Sequence, residues 1–175
     1  NFVKREEFIM ENIIFKRRSI RSFEDKPVEP EKVERILRAG MQAPSAHNKQ
    51  PWEFLVVTDK DKRDALSQMS PYAGMVAYAP VAIIVIGHPD SMTEKFMPQD
   101  LGACTENILL QIVEEGLGGC WMGFYPDMAR CATITNYFNL PEDRIPFCVI
   151  ALGYSQRENS FVDRYDASKV HFNKW

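Results

Sequence analysis

The sequence predicts a single domain in which helices cover both faces of a central β-sheet. Three short apolar runs rich in valine and isoleucine, at residues 54–57, 81–86 and 147–152, are typical of strands buried on both faces. The stretches between them carry apolar residues at helical spacing. The chain of 175 residues can bury a substantial core, and it contains no repeat, low-complexity tract or linker-like break in composition.

The predicted helices begin with a short one at residues 11–17. Residues 30–42 form a clearer helix, because proline stands in its first turn. Its apolar stripe consists of Val33, Ile36, Leu37 and Met41. Residues 59–69 form a helix between the first two strands.

A longer helix is predicted at residues 99–115, and its apolar residues spread over most of its circumference. One stripe consists of Leu101, Cys104, Ile108 and Ile112. The stripe is widened by Leu109, Leu110 and Val113. Such a helix must be covered from more than one side. The pattern fits equally a central core helix and a helix shared with a partner subunit.

The two ends of the chain differ from its centre. Residues 154–175 are polar, with isolated aromatic residues at Phe161, Tyr165, Phe172 and Trp175. We expect this segment to be an arm packed on its own domain or on a partner, since free aromatic rings are unfavourable in water. Residues 1–9 are charged and unlike a signal peptide. We expect an N-terminal extension or an expression remnant there, with the domain at residues 10–175.

Composition excludes several classes of protein. The net charge of −3 favours neither nucleic acid nor an anionic membrane surface as a partner. The longest apolar run, residues 81–87, is too short to span a bilayer. The four cysteines lack the spacing of a zinc site or a disulfide framework. They are predicted to be reduced core residues of a cytoplasmic protein.

Residues 16–21 (KRRSIR) place four cations within six positions of an acidic chain. Arginine's planar fork suits phosphate oxygens, and Ser19 adds a donor. The alternative is a solvated helix end, where cations complement the helix dipole. Taken alone, the segment fits that alternative better.

Residues 43–52 (APSAHNKQPW) form a loop stiffened by two prolines. The polar groups of Ser45, Asn48 and Gln50 could form hydrogen bonds with the edge of a planar heterocycle. Alternatively, the serine and asparagine bond the loop's own backbone.

Residues 116–124 (GLGGCWMGF) contain four glycines, which would let the backbone approach a flat ligand. Trp121, Met122 and Phe124 would add apolar surface. The alternative is a tightly packed buried strand. No dinucleotide fingerprint, P-loop, nucleophile elbow or H-E-x-x-H pair occurs, so hydrolase and metalloenzyme chemistry lack support.

Together and in this order, these segments resemble the nitroreductase family of flavoproteins. Residues 17–21 are similar to its R-R-S-x-R motif, and residues 44–52 to its P-S-x-x-N-x-Q-P-W loop. Residues 116–123 resemble its glycine-rich strand. The D-R-Y at 163–165 and the closing V-H-F-N-K-W resemble its C-terminal arm. The similarity extends from Glu11 to Trp175.

The resemblance implies an α+β fold: a three-layer sandwich with a central, mostly antiparallel sheet flanked by helices and an extended C-terminal arm. It implies a homodimer that exchanges residues 154–175, with one FMN per subunit at the interface. NADH or NADPH would be the electron donor, and a small oxidised molecule the acceptor. It also favours a subunit contact for the helix at 99–115.

Carried over by motif, Arg17 and Ser19 would hold the FMN phosphate with Arg18 close by, and Arg164 would complete this clamp from the arm. Arg21 would lie near the N1/C2-carbonyl edge of the flavin, where a cation favours acceptance of a hydride. The ring and ribityl chain would be lined by Pro44, Ser45, Ala46 and Asn48. The N5 and dimethylbenzene side would be approached by Trp121, Met122 and Gly123, partly through backbone groups.

The resemblance names no catalytic side chain, since the flavin carries out the redox step. One departure is Val162, where many family members have a second basic residue, and it predicts weaker phosphate binding. Within the family, flavin fragmentation and reductive dehalogenation are alternatives to nitro or quinone reduction. A flavin-binding module without turnover and a generic α/β protein are the remaining ones.

Overall fold

The computed structural model describes residues 12–90 and 93–175. The predictions for Met10 and the residues before it lie outside these ranges. Within the described ranges, no helix is long and apolar enough to cross a bilayer.

Four antiparallel strands form the central sheet. They are β1 (Trp52–Val57), β2 (Val81–Gly87), β3 (Gly118–Gly123) and β4 (Ile145–Gly153), in the order β1-β2-β4-β3. In the register, Ile83 of β2 faces Ile150 of β4, which in turn faces Trp121 of β3. The antiparallel sheet predicted from the resemblance is confirmed.

Five α-helices lie in the described ranges. They are α1 (Ile13–Lys16), α2 (Pro30–Met41), α3 (Lys60–Ser67), α4 (Met97–Glu114) and α5 (Met128–Phe138). The first four were predicted to within a few residues. Helix α5 was not predicted, because only Cys131 and Ile134 of this helix are buried, and two positions make no recognisable stripe.

Successive side chains of the central strands enter two separate cores, as the pleat requires. Val81, Ile83 and Val85 of β2 pack with α2 and α4. Ala82, Ile84 and Ile86 pack in a second core with residues of α3 and α5. β2 is buried throughout, and β4 beyond Ile145. The molecule is therefore the predicted three-layer sandwich.

Two sequence predictions about burial need correction. Residues 54–56 of β1 are only half-buried, because β1 is an edge strand. Met41, assigned to the core stripe of α2, is 48% exposed because it lies at the end of the helix. The predicted cysteine state is confirmed: all four are buried and unbridged. Burial raises the pKa of Cys104 to about 12 and that of Cys131 to about 11, so both thiols stay protonated.

The segment after α1 joins the outer edge of β3. The Ile20 N–H donates to the Gly119 carbonyl over 2.9 Å, and Ser19 and Gly119 form a parallel bridge. Ile20, 5% exposed, lies directly over Gly118. A Cβ built on Gly118 would come within 2.7 Å of Ile20 Cγ2. Glycine is therefore required at 118 by close approach of the Ile20 side chain.

The C-terminal end of α4 is joined to α2 by polar contacts. The Arg35 guanidinium donates two hydrogen bonds to the Glu115 carboxylate, over 2.7 and 2.8 Å. Lys32 Nζ donates to the Glu115 carbonyl over 2.7 Å. Because Arg35 holds the charged form, the pKa of Glu115 falls to about 2.

We expect Gly118→Ala to lower the free energy of unfolding by about 1–3 kcal/mol, the usual cost of overpacking. The measurement is urea unfolding. Gly102→Ala is the matched control, since nothing lies within 4 Å of its added Cβ, and it should not destabilise. Ile20→Ala in the Gly118→Ala background should restore part of the loss. Full stability of the Gly118→Ala variant would refute the packing account.

The Glu115–Arg35 contact should make stability depend on pH. Because the folded-state pKa of about 2 lies below the ordinary 4.5, the contribution is present above pH 4.5 and is lost as the pH falls towards 2. Glu115→Gln should therefore lower the melting temperature at pH 7, by an amount that shrinks below pH 4.5. Glu114→Gln, at the exposed neighbouring position, is the control. If Glu115→Gln lowered the melting temperature by the same amount at every pH, the Glu115–Arg35 contact would not be the cause.

Candidate functional site

The basic segment at residues 17–21 lies along the β3 edge of the sheet, and its cations have different surroundings. Arg17 is largely buried, with 21% of its side chain exposed, and its Nε lies 3.3 Å from Glu106 Oε1 on α4. Burial raises the pKa of Glu106, and the charge of Arg17 opposes that rise. Arg17 therefore already has a counter-ion within the chain.

Arg18 has an unsatisfied group. Its backbone N–H donates to Asn159 Oδ1 over 3.3 Å, and Asn159 Nδ2 donates to the Leu117 carbonyl over 3.0 Å. The Arg18 Nη1 atom is buried and has no hydrogen-bond partner among the described residues. A buried guanidinium nitrogen without an acceptor is costly, so this position favours an anionic ligand.

Beside this segment, a cleft of about 460 Å³ opens along the edge of β3. Arg21 lines it together with Trp121, Gly123, Tyr72 and others. Trp121 is 37% exposed and lies at 5.8 Å from the Phe147 ring. Nothing lies within 4 Å of the position that a Cβ on Gly123 would take. The cleft thus combines a cation, an exposed indole and open space at a glycine.

The backbone of β3 also faces this cleft. Because the Gly119 carbonyl points outward to Ile20, strand alternation directs the N–H groups of Trp121 and Gly123 to the same outer edge. Neither N–H has a backbone acceptor among the described residues. The Met122 side chain is buried in the second core, and the same alternation turns its N–H and carbonyl towards β4, so Met122 offers the cleft no polar group.

Tyr72, Met75 and Cys120 line this cleft and were not among the predicted site residues. Tyr72 is 67% exposed, and the Arg130 guanidinium lies 5.9 Å from its ring centroid. Arg130 Nη1 also donates to the Gly123 carbonyl over 3.5 Å. The Cys120 thiol lines the cleft as well. Burial raises the pKa of Cys120 despite nearby Arg21, so this thiol is not a ready nucleophile.

The loop at residues 43–52 is held in an unusual conformation. His47, Asn48 and Gln50 all have φ near 50°, a region that non-glycine residues rarely adopt. Ser45 Oγ accepts from the Gln50 N–H over 2.8 Å, and Asn48 Oδ1 accepts from Gln50 Nε2 over 3.0 Å. Ser45 therefore bonds the loop's own backbone, as in the alternative noted above, whereas Asn48 bonds the Gln50 side chain.

Asp100 supports the loop and was missed by the sequence analysis. It is 6% exposed in the first turn of α4, and its Oδ1 accepts from the Ala46 N–H over 3.0 Å. Its Oδ2 is buried without a partner among the described residues. An acidic residue inside an apolar helix is the only sequence signal for such a contact. Pro44 and Asn48 remain exposed at the loop surface.

One chain does not bring all the predicted residues together. The loop is bonded to Asp100, whereas Gly119 lies against Ile112 of the same helix. These two points on α4 are twelve residues apart, or about 18 Å along the helix axis at 1.5 Å per residue. The loop and Gly119, where the basic segment joins β3, therefore lie towards opposite ends of α4.

The arm is attached at its beginning and exposed towards its end. The Val162 N–H donates to the Phe15 carbonyl over 3.0 Å, and the Phe15 and Phe161 rings stack at 5.6 Å. Arg164 is exposed, and no described residue forms an ion pair with it. Phe172 and Trp175 are 81% and 98% exposed. The end of the arm is thus available to a partner.

Comparison with known proteins agrees with this geometry. The nitroreductase family model matches residues 14–154. A Methanothermobacter thermautotrophicus protein, provisionally named NADH dehydrogenase/NAD(P)H nitroreductase, is 41% identical over 162 residues, which are 91% of this chain and 84% of that protein.

Two solved structures are also similar. A Clostridium acetobutylicum protein, provisionally named NADH oxidase, has a TM-score of 0.89 and 45% identity, covering 93% of this chain and 99% of its own. A provisionally named nitroreductase from Desulfovibrio desulfuricans in complex with FMN has a TM-score of 0.78 and 31% identity, covering 93% and 94%. The chain belongs to the nitroreductase family, and it is an NAD(P)H-dependent oxidoreductase of that type.

Proposed function

We propose that the protein binds FMN between two copies of the chain and uses NADH or NADPH to reduce a small oxidised acceptor. The observation that carries the proposal is the attachment of the basic segment to the edge of β3. That contact places Arg21 in the lining of an open cleft with unpaired backbone N–H groups. Arg21 also lines an adjoining cleft together with Arg18, whose Nη1 atom has no hydrogen-bond partner among the described residues. A flat ligand with a phosphate at one end matches this combination.

The residues present fit FMN in charge and shape. Arg18, Ser19 and Arg17 would take the phosphate, with Arg164 from an arm closing over it. For Arg17 this means sharing its charge between Glu106 and the phosphate. Arg21 would supply positive charge beside the ring, and the N–H groups of the β3 edge would donate to ring acceptors. Bound FMN would supply the redox chemistry, accepting a hydride from a reduced nicotinamide and returning electrons to the acceptor.

The homodimer is part of the proposal because the loop at residues 43–52 lies about 18 Å along α4 from Gly119, where the basic segment joins β3. A two-fold axis would bring the loop of one chain to the β3 edge of the other. Pro44, Ser45, Ala46 and Asn48 would then line the ring from the second chain. Exposed apolar residues support this arrangement. They are Ile14 in α1, Met41 at the end of α2, and the aromatic residues at the end of the arm.

No residue of the cleft is arranged to select a particular acceptor. Trp121 and Tyr72 offer flat exposed surfaces, which discriminate weakly among planar molecules. The nicotinamide and the acceptor would therefore occupy this place in turn, which is a ping-pong mechanism. Quinones and nitroaromatics are the acceptor classes that fit best. Nitro reduction need not be the role in the cell, and the cytoplasm is the expected compartment.

The first test is spectroscopic. Purified protein should be yellow, its flavin absorbance should be bleached by NADH or NADPH, and a quinone or nitroaromatic should restore it. Arg17→Ala should lower flavin content about tenfold, since a charge-assisted hydrogen bond is worth about 1.5–3 kcal/mol.

Glu106→Gln is the matched control, because it removes the ion pair and keeps the Arg17 cation. It should retain or increase flavin content. Equal losses in both variants would mean that the ion pair acts only on folding. Colourless protein that takes up no added FMN would refute the proposal.

The second test concerns assembly. Met41→Lys places a charge on the exposed apolar face and should dissociate the dimer, so sedimentation velocity should show a monomer with reduced flavin content. Tyr78→Lys changes an aromatic residue that is more exposed than Met41, at 76% against 48%, and that lies beside the second core, so it should leave both properties unchanged. A Met41→Lys variant that stays dimeric would move the interface elsewhere.

A further inference from the structure

We infer that Arg157 is an additional phosphate-binding residue, which supplies the positive charge that the arm lacks at Val162. The inference rests on the proposed FMN site and adds a residue to it. No sequence motif points to Arg157, which stands in the turn that follows β4.

A second cleft, of about 450 Å³, carries the inference. The basic segment contributes Arg18, Ser19 and Arg21 to its lining, and the turn after β4 contributes Arg157, Glu158 and Ser160. Three guanidinium groups and one carboxylate give this cleft a local charge of about +2. A phosphate monoester carries about −1.5 to −2 at neutral pH. The two charges are complementary.

Asn159, two positions after Arg157, holds this turn in place. Asn159 accepts the Arg18 N–H and donates to the Leu117 carbonyl. The Arg157 N–H is bonded to Ser155 Oγ over 3.1 Å. The backbone at 157 is therefore attached to the same segment that carries Arg18 and Ser19, which limits how far the Arg157 side chain can lie from them.

Arg157 is also free to accept an anion. Its side chain is exposed, and no described residue, Glu158 included, forms an ion pair with it. Arg17, by contrast, is already paired with Glu106. Val162 brings an apolar side chain to the segment, and its N–H is used by Phe15. Among residues 154–162, Arg157 is the basic residue, so it can replace the positive charge that is absent at Val162.

The test compares two flavins that differ only in the phosphate. Apoprotein is titrated with FMN and with riboflavin, and binding is followed by flavin fluorescence. Arg157→Ala should weaken FMN binding about tenfold, or about 1.4 kcal/mol, and leave riboflavin binding unchanged. Arg157→Lys should lose much less. Lys62→Ala, which removes an exposed cation on α3, should change neither affinity.

The outcomes separate this inference from the proposed function. Unchanged FMN binding in Arg157→Ala would overturn the inference alone. Equal weakening of FMN and riboflavin would also overturn it, because Arg157 would then support the fold or the ring. Wild-type protein that binds neither flavin would overturn the proposed function itself, and the inference with it.

Discussion

The contact between residues 19–20 and the edge of β3 is the constraint on which the candidate site depends. The backbone hydrogen bond from the Ile20 N–H to the Gly119 carbonyl joins the basic segment to the sheet. The contact needs a glycine at 118, because the Ile20 side chain occupies the space of a Cβ. If this contact did not form, the cations of the basic segment would be solvated charges at a helix end. Because it forms, they flank a cleft whose backbone N–H donors are held in position by the sheet.

Helix α4 is the second element on which the site depends, because polar residues along it contact the other parts of the candidate site. Asp100 in its first turn bonds the loop at residues 43–52, Glu106 pairs with Arg17, and Glu115 after its last turn joins α2. A helix largely buried against a sheet can carry such carboxylates only where each finds a partner. The unpartnered Oδ2 of Asp100 is the exception, and it lies beside the loop assigned to the second chain's flavin.

The chain is acidic overall, yet four arginines, Arg17, Arg18, Arg21 and Arg157, lie near one end of β3. Such local excess of positive charge costs stability through mutual repulsion unless anions offset it. Glu106 offsets part of it inside the chain, and the phosphate of a bound flavin would offset the rest. Folding and cofactor binding are therefore expected to be coupled, because the arginines proposed to bind the phosphate include Arg18, whose Nη1 atom has no hydrogen-bond partner among the described residues.

The layers of the fold and the motifs of the site could both be predicted from the sequence. Apolar runs identified β2 and β4, helical spacing identified α2 and α4, and four motifs in order pointed to the family, because these signals lie in residues close together in the chain. Three contacts could be seen only in the folded chain. Arg17 pairs with Glu106, and Asp100 accepts a hydrogen bond from the loop at residues 43–52. Arg157 lines the same cleft as Arg18. These contacts join residues roughly fifty to 140 positions apart, and only the packing of α4 and the turn after β4 against the sheet edge brings them together.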